Sequence, residues 1–315
     1  MRELESLRGS CRGQTVVFIG NGTSIRPYDL SRIRHRTFAS NYFVPFGLTR
    51  WGLSLDFYLC NDPRVFFIPW ERYQVQRGLV PPGGDLLRAP SPADYIAERE
   101  LYRKTRVILP ASLDWYDFAH PLFEGADTAA LAAWLPRQAA AGGAEGLFVY
   151  HVRPPAARFS AEGLRRRLRR RLLYRGRFKA HGFDPRGYTY TVPRWLDGLL
   201  PPLAPSALAP PADGRFGVPV WAVNSFCNVV LPALFLLGFD TIVLLGVDYD
   251  KEGYFFNPYR SPHDRFFYRE EFDELYYLFR LARTLPHAPK IKIVRTGTNH
   301  ITPPDGFVDF EEICA

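Results

Sequence analysis

A short apolar run near the start of the chain, followed at once by a turn of small residues, constrains the fold most. Thr15 to Gly20 is apolar and β-branched, which is typical of a buried parallel strand. The turn that follows places backbone N–H groups and a hydroxyl where a phosphate can bind. The sequence therefore predicts a nucleotide phosphate site, although a plain tight turn has the same composition. The turn residues are Gly20, Asn21, Gly22, Thr23 and Ser24.

The turn differs from the two best-known phosphate motifs. It lacks the third glycine of the dinucleotide fingerprint and the lysine of a P-loop. Neither an NAD enzyme nor a P-loop NTPase is therefore indicated.

Two further strands are predicted to end at an asparagine. Arg36 to Asn41 and Ser54 to Asn61 are mostly apolar or aromatic. In an open α/β sheet the ligand crevice lies outside the carboxyl ends of the strands. Asn21, Asn41 and Asn61 would therefore present paired donors and acceptors to one ligand.

Strands and helices alternate towards both ends of the chain, which predicts a doubly wound, mostly parallel, Rossmann-like sheet. In the second half we expect strands over Val220–Val223, Thr241–Leu245 and Ile291–Val294. Helices are expected from Asn224 to Leu237, with a kink at Pro232, and from Phe272 to Leu285.

The middle of the chain, residues 81–217, is rich in proline and alanine and is interpreted as a large helical and loop insertion. Residues 1–80 and 218–315 are then the α/β domain. Within the insertion, Leu164 to Lys179 predicts a basic amphipathic helix. It would suit an anionic membrane surface or an acceptor-facing subdomain, or form an ordinary solvated face; nucleic-acid binding is not expected. Its arginines are Arg165, Arg166, Arg169 and Arg170.

Composition narrows the class of partner and the compartment. A net charge of +8 favours anionic partners. The four cysteines are scattered without CxxC spacing, which argues against a zinc site or disulfide framework and favours a reducing compartment. The polar N-terminus and the lack of an apolar stretch of about 18 residues favour a cytoplasmic location, alone or peripheral to the inner face of the cytoplasmic membrane.

The order of the motifs VVFIGNGTS, FASNYF, FYLCNDP, AVNSF and LGFDTIVLLGVDYDKEGYFF resembles the bacterial sialyltransferases that modify lipooligosaccharide. The resemblance covers about Thr15–Asp62 and Val218–Leu285, under half of the chain. It implies that the sheet is of the GT-A type and that residues 1–80 and 218–315 form the nucleotide-sugar-binding domain. The implied activity is that of a metal-independent glycosyltransferase that moves sialic acid, or a related keto-sugar acid such as Kdo, from a CMP-sugar donor to a bacterial surface glycan or glycolipid.

The resemblance also implies roles for individual residues. His263 would be the general base, a task that suits an imidazole, and Tyr254 would hydrogen-bond the leaving phosphate. Tyr249 and Tyr259 are alternatives to Tyr254, and His300 is a second candidate for the base. Nucleotide contacts fall on the glycine turn, Asn41, Asn61, Asn224, Ser225, Gly246 and Asp248, with Asn299 as a secondary candidate.

Two other functions are compatible with the sequence. Asp248 and Asp250 form a D-x-D pair that could hold Mg²⁺ or Mn²⁺ on a diphosphate. That pair would suit a metal-dependent nucleotide-diphosphate-sugar transferase or a pterin-type diphosphokinase. The non-enzyme alternative is a nucleotide-binding module that docks on a membrane.

Overall fold

The computed structural model describes residues 1–80, 83–113, 118, 121–153, 217–219, 226–248, 254–257, 275, 278–279, 281–283, 285–297 and 301–315. Several predicted features lie outside these residues. They are the strand 220–223, the basic helix, Asn224, Ser225, Tyr249, Asp250, Tyr259, His263, Asn299 and His300.

The described residues form one sheet of ten strands. The strands are β1 (Arg2–Glu3), β2 (Thr15–Ile19), β3 (Arg36–Ser40), β4 (Phe57–Leu59), β5 (Arg106–Pro110), β6 (Leu147–Arg153), β7 (Gly217–Pro219), β8 (Thr241–Leu245), β9 (Lys290–Val294) and β10 (Phe307–Val308). All strand pairings are parallel. The order across the sheet is β1-β6-β5-β4-β3-β2-β8-β9-β10, and β7 pairs with β6.

This strand order confirms the doubly wound, parallel α/β fold. From β2 the chain moves outward through β3, β4, β5 and β6, and later returns to place β8 on the other side of β2. The direction of winding therefore reverses between β2 and β8. In such sheets the ligand crevice lies at this switch point, outside the carboxyl ends of the two strands.

The helices cover the two faces of the sheet. The α-helices are α1 (Phe43–Trp51), α2 (Pro63–Phe67), α3 (Trp70–Gln76), α4 (Pro92–Glu98), α5 (Thr128–Ala132), α6 (Trp134–Gln138) and α7 (Leu231–Leu237). Shorter 3₁₀ turns occupy Leu4–Leu7, Thr23–Ile25, Leu30–Arg32, Leu101–Arg103, Pro121–Phe123 and Phe310–Ile313, and π-helical turns occupy Ala139–Gly143 and Phe226–Val230.

The helix predicted to run to Leu237 is present over its described part, and it changes geometry at the predicted kink. The π-helical turn Phe226–Val230 leads into α7, and Pro232 stands in the first turn of α7. Proline has no N–H to donate to the preceding turn, so a break in the regular ladder falls here. Gly238 then ends the helix with a left-handed φ of 83°.

Both faces of the sheet are buried, as expected for a parallel sheet covered by helices. Val16 and Phe18 of β2 point into one hydrophobic cluster together with all the residues of α7 except Pro232. Val17 and Ile19 point into the other cluster. No helix among the residues that the structure describes is long and apolar enough to cross a membrane.

The main sheet continues into the segment interpreted as an insertion. β5 pairs with β4, and β6 pairs with β5, although both strands lie within residues 81–217. Their apolar side chains are buried in the same clusters as those of β2. Residues 81–217 therefore contribute strands to the main sheet. The proline- and alanine-rich composition around β5 and β6 does not prevent these strands from pairing.

Candidate functional site

The switch point is built from the turn after β2 and the loop after β8, which lie in direct contact. Gly20 N donates to Leu245 O at 2.7 Å, and Gly22 N donates to Gly246 O at 2.9 Å. A Cβ atom on Gly20 would lie 2.2 Å from Gly246 O. The glycine turn is therefore required by the close approach of two backbones, a structural reason that the sequence did not reveal.

A buried carboxylate joins the two loops. Asp248 is buried, and its Oδ2 accepts from Ser24 N at 2.7 Å while its Oδ1 accepts from the Ser24 hydroxyl. The carboxylate thus lies at the start of the 3₁₀ turn Thr23–Ile25, where N–H groups attract an anion. Several donors of the predicted phosphate turn are therefore engaged within the protein, and phosphate binding by this turn stays a prediction.

Asn21 brings an unmatched acceptor to the same place. Its Nδ2 donates to Ser40 O at 3.1 Å. Its side-chain oxygen Oδ1 is buried and has no hydrogen-bond partner among the residues that the structure describes. Leaving such an acceptor unpaired costs about 1–3 kcal/mol. A donor on a bound ligand would remove this cost, so Asn21 Oδ1 marks a candidate contact.

The asparagines predicted at strand ends lie where the sequence suggests. Asn21, Asn41 and Asn61 follow β2, β3 and β4, which are neighbours in the sheet. Adjacent strands lie about 4.8 Å apart, so the three residues line one stretch of the carboxyl edge. Their roles in binding stay predictions.

Asn41 is held in an uncommon conformation. Its φ is 57°, in the left-handed region that asparagine tolerates better than most residues. Its backbone oxygen accepts from the Tyr58 hydroxyl at 2.8 Å, and its Oδ1 accepts from Cys60 Sγ at 3.6 Å. Burial raises the pKa of the Cys60 thiol to about 12, so the thiol keeps its proton and acts as the donor.

A short segment, residues 254–257, crosses the glycine turn. Tyr254 forms an antiparallel bridge with Gly22, and Phe255 N donates to Asn21 O at 2.9 Å. The Arg26 guanidinium donates to three carbonyl oxygens of this segment, from Tyr254 at 3.2 Å, Phe255 at 3.0 Å and Asn257 at 3.1 Å. Arg26 was missed by sequence reasoning, because nothing in its spacing distinguishes it from other exposed arginines.

The Tyr254 ring belongs to an aromatic cluster beside the switch point. It stacks on Phe256 with ring centroids 5.3 Å apart and meets the edge of Trp70 at 5.7 Å. Tyr42 also packs against Trp70, at 4.8 Å. The aromatic residues that are abundant after Asp248 in the sequence thus pack, in part, on rings from the first third of the chain.

The predicted site residues fall into three groups. The structure brings Gly20, Asn21, Gly22, Thr23, Ser24, Gly246, Asp248 and Tyr254 together at the switch point. It places Asn41 and Asn61 along the adjoining strands. The remaining candidates, including His263, lie outside the described residues.

A metal ion held by Asp248 and Asp250 is the main alternative to a metal-independent nucleotide site. Among the residues that the structure describes, no group of three or more His, Cys, Asp or Glu side chains could hold a metal ion. Asp250, the second member of the D-x-D pair, lies outside that part of the chain.

Comparisons with known proteins give a weak structural likeness and no match in sequence. No protein-family model matches the chain, and neither does any curated protein. One solved structure that it resembles is the sialyltransferase CstII from Campylobacter jejuni in complex with a substrate analogue, cytidine-5'-monophosphate. That match has 14% identity and a TM-score of 0.32 and covers 90% of this chain and 80% of the other. A likeness at this level supports no inference about function.

Proposed function

We propose that this chain is a glycosyltransferase that moves sialic acid, or a related keto-sugar acid such as Kdo, from a CMP-activated donor to a bacterial surface glycan or glycolipid. The nucleotide would bind across the switch point between β2 and β8 and along the ends of β3 and β4. The observation that carries the proposal is the buried Oδ1 of Asn21 at this switch point, which has no hydrogen-bond partner among the described residues.

An amide oxygen in this position suits a nucleoside. Ribose hydroxyls and the exocyclic amino group of cytosine are donors that an asparagine carbonyl accepts. Asn41 and Asn61 continue the same edge with further amide groups. The choice of CMP as the nucleotide rests on the order of sequence motifs that resembles the lipooligosaccharide sialyltransferases.

The proposed reaction requires one proton transfer, to His263, and one stabilising hydrogen bond, from Tyr254. The bond between the anomeric carbon and the phosphate oxygen breaks, the acceptor oxygen bonds to that carbon, and His263 takes the acceptor's hydroxyl proton. CMP leaves with the bonding electrons. The Tyr254 hydroxyl would donate to the departing phosphate and so stabilise the charge that develops there.

We propose that no metal takes part. Both carboxylate oxygens of Asp248 accept hydrogen bonds from Ser24, and the side chain is buried. A metal-dependent transferase or diphosphokinase that used Asp248 and Asp250 would have to bind its ion through a carboxylate that is buried and already hydrogen-bonded on both oxygens. This geometry supports a structural role for Asp248 in joining the two loops.

The test is release of CMP from CMP-sialic acid and from CMP-Kdo, measured in EDTA and in Mn²⁺. We expect release to persist in EDTA and to fall at least about 100-fold in His263→Ala, the usual scale for losing a general base. His35→Ala is the matched control, because His35 precedes β3 at the amino edge of the sheet. Release that requires Mn²⁺, or metal-dependent binding of ATP or a UDP-sugar without release from either donor, would overturn the proposal.

A second measurement tests the role of Asn21 Oδ1 in nucleotide binding directly. Asn21→Ala should weaken CMP binding about tenfold in calorimetric titration, since one hydrogen bond contributes about 1.4 kcal/mol at most. Gln74→Ala is the control: within the described part of the chain Gln74 also has a buried side-chain oxygen without a partner and an engaged nitrogen, but it lies on α3. Equal CMP affinities for the two variants would contradict the role of Asn21.

A further inference from the structure

A cavity lies at the carboxyl ends of β4 and β5, beside the proposed nucleotide site. Its volume is about 180 Å³. Asn61, at the end of β4, belongs both to the cavity wall and to the row of asparagines. From the switch point to this cavity the sheet extends by three strand spacings, about 14 Å.

Most of the cavity wall is apolar, and its aromatic rings pack against one another. Phe66 and Trp134 meet edge to face with centroids 5.0 Å apart, and Phe67 meets Phe66 at 4.9 Å. Phe66 and Trp134 are themselves buried. Leu109, Leu131 and Leu135 are among the other apolar residues of the lining. Rings held in this way form a preformed surface for another apolar group.

Two polar residues of the lining are occupied by the protein itself. The Asp62 carboxylate accepts from Arg64 Nη2 at 2.7 Å, from its Nε at 2.9 Å and from its backbone N at 2.9 Å. The Cys60 thiol donates to Asn41 Oδ1. A nucleobase placed here would bury donors and acceptors against these engaged groups, at a cost of about 1–3 kcal/mol for each one left unpaired. A hydrocarbon surface carries no such cost.

We propose that this cavity binds an apolar ring of about the size of benzene, carried by the acceptor substrate. An apolar protein cavity of about 150 Å³ is known to take up benzene, and the present cavity is slightly larger. The acceptor's reacting hydroxyl would then extend from the ring along the strand ends towards the switch point. The assignment of the ring to the acceptor rests on the proposed function, whereas binding of the ring itself does not.

The probe for the ring site is toluene, titrated into the full chain and followed by saturation-transfer NMR. We expect saturable binding that weakens at least tenfold in Ala132→Leu, which extends a side chain of the cavity wall. The matched control is Ala129→Leu, on the same helix α5 but not part of the wall. Both alanines are exposed, so each variant is expected to fold.

A second variant changes the volume of the cavity in the opposite direction. Leu131→Ala enlarges the cavity and should bind naphthalene more tightly than the parent chain does. Absence of saturable toluene binding, or toluene binding that is equal in Ala132→Leu and Ala129→Leu, would overturn the ring site.

The acceptor assignment is tested with phenyl glycosides and the matching methyl glycosides in the CMP-release assay. We expect the phenyl compounds to accelerate release more than the methyl compounds, and this preference to disappear in Ala132→Leu but not in Ala129→Leu. Toluene binding without CMP release would overturn the glycosyltransferase and leave the ring site standing. CMP release without toluene binding would overturn only the ring site.

Discussion

The missing side chain of Gly20 lets the carboxyl ends of β2 and β8 come together. A Cβ atom there would lie 2.2 Å from Gly246 O and 2.8 Å from Gly246 C. Both neighbours are backbone atoms, which cannot rotate away as the end of a flexible side chain can. The switch point therefore depends on glycine at this position for a packing reason, whatever ligand it binds.

Gly20→Ala is expected to lower the free energy of unfolding by about 1–3 kcal/mol, the usual cost of forcing atoms into a packed region. Gly297→Ala is the control, since none of the described residues apart from its chain neighbours has an atom within 4 Å of a Cβ at that exposed glycine. The control should unfold at the parent's urea concentration or slightly above it. If urea denaturation gave the two variants the same midpoint, the packing argument would fail.

Arg26 attaches the segment 254–257 to the glycine turn. Its guanidinium makes three hydrogen bonds to backbone oxygens of that segment. Each such bond contributes about 0.5–1.5 kcal/mol. Because Tyr254 is bonded in this way on the switch point, Arg26 is a positioning residue for the tyrosine.

Arg26→Ala should lower kcat for CMP release about tenfold or more while changing the affinity for CMP much less. The reason is that the nucleotide still meets the asparagines, whereas Tyr254 keeps only its bridge to Gly22, the Phe255 N–Asn21 O bond and its ring contacts, and is held less firmly over the turn. Millimolar guanidinium ion should restore part of the lost kcat, which a general loss of stability would not allow. Arg103→Ala, which removes an exposed arginine paired with Glu100, should behave as the parent. A normal kcat in Arg26→Ala would refute the positioning role.

The elements that the sequence predicts well are those whose signal is local. β2 and β8 are short β-branched runs bounded by turn residues, and both were placed to within one residue. The pairing of Asp248 with Ser24 could not be predicted, because the two residues are 224 positions apart and neither carries a periodic signal. The pairing of β5 and β6 with the strands of the main sheet could not be predicted for the same reason, since pairing of distant strands depends on register and not on composition.

Because helices cover both faces of the sheet, several groups that ionise only at high pH are buried. Tyr42, Tyr58, Tyr150 and Cys60 are all buried. Loss of solvation raises the pKa of each of the three phenols well above its usual range, and it raises the pKa of the Cys60 thiol to about 12. These groups keep their protons in the folded chain at pH values where they would lose them in the unfolded chain.

The free energy of unfolding should therefore fall as the pH rises above about 9, near the ordinary pKa of a thiol. Here the unfolded state binds fewer protons than the folded state, so the slope of stability against pH is negative. Each group that has ionised only in the unfolded chain contributes about 1.4 kcal/mol per pH unit. For Cys60 this loss continues until the pH passes its folded pKa of about 12.

Urea denaturation at pH 8, 9, 10 and 11 measures this slope, and Tyr58→Phe identifies its source. The variant loses the hydrogen bond to Asn41 O at every pH, which lowers stability uniformly. It also removes one buried phenol, so its stability should fall less steeply above pH 10 than that of the parent, by about 1.4 kcal/mol per pH unit. Tyr95→Phe, at a half-buried ring beneath Arg99, should keep the parent's slope. Parallel curves for Tyr58→Phe and the parent would mean that burial of this phenol is not what limits alkaline stability.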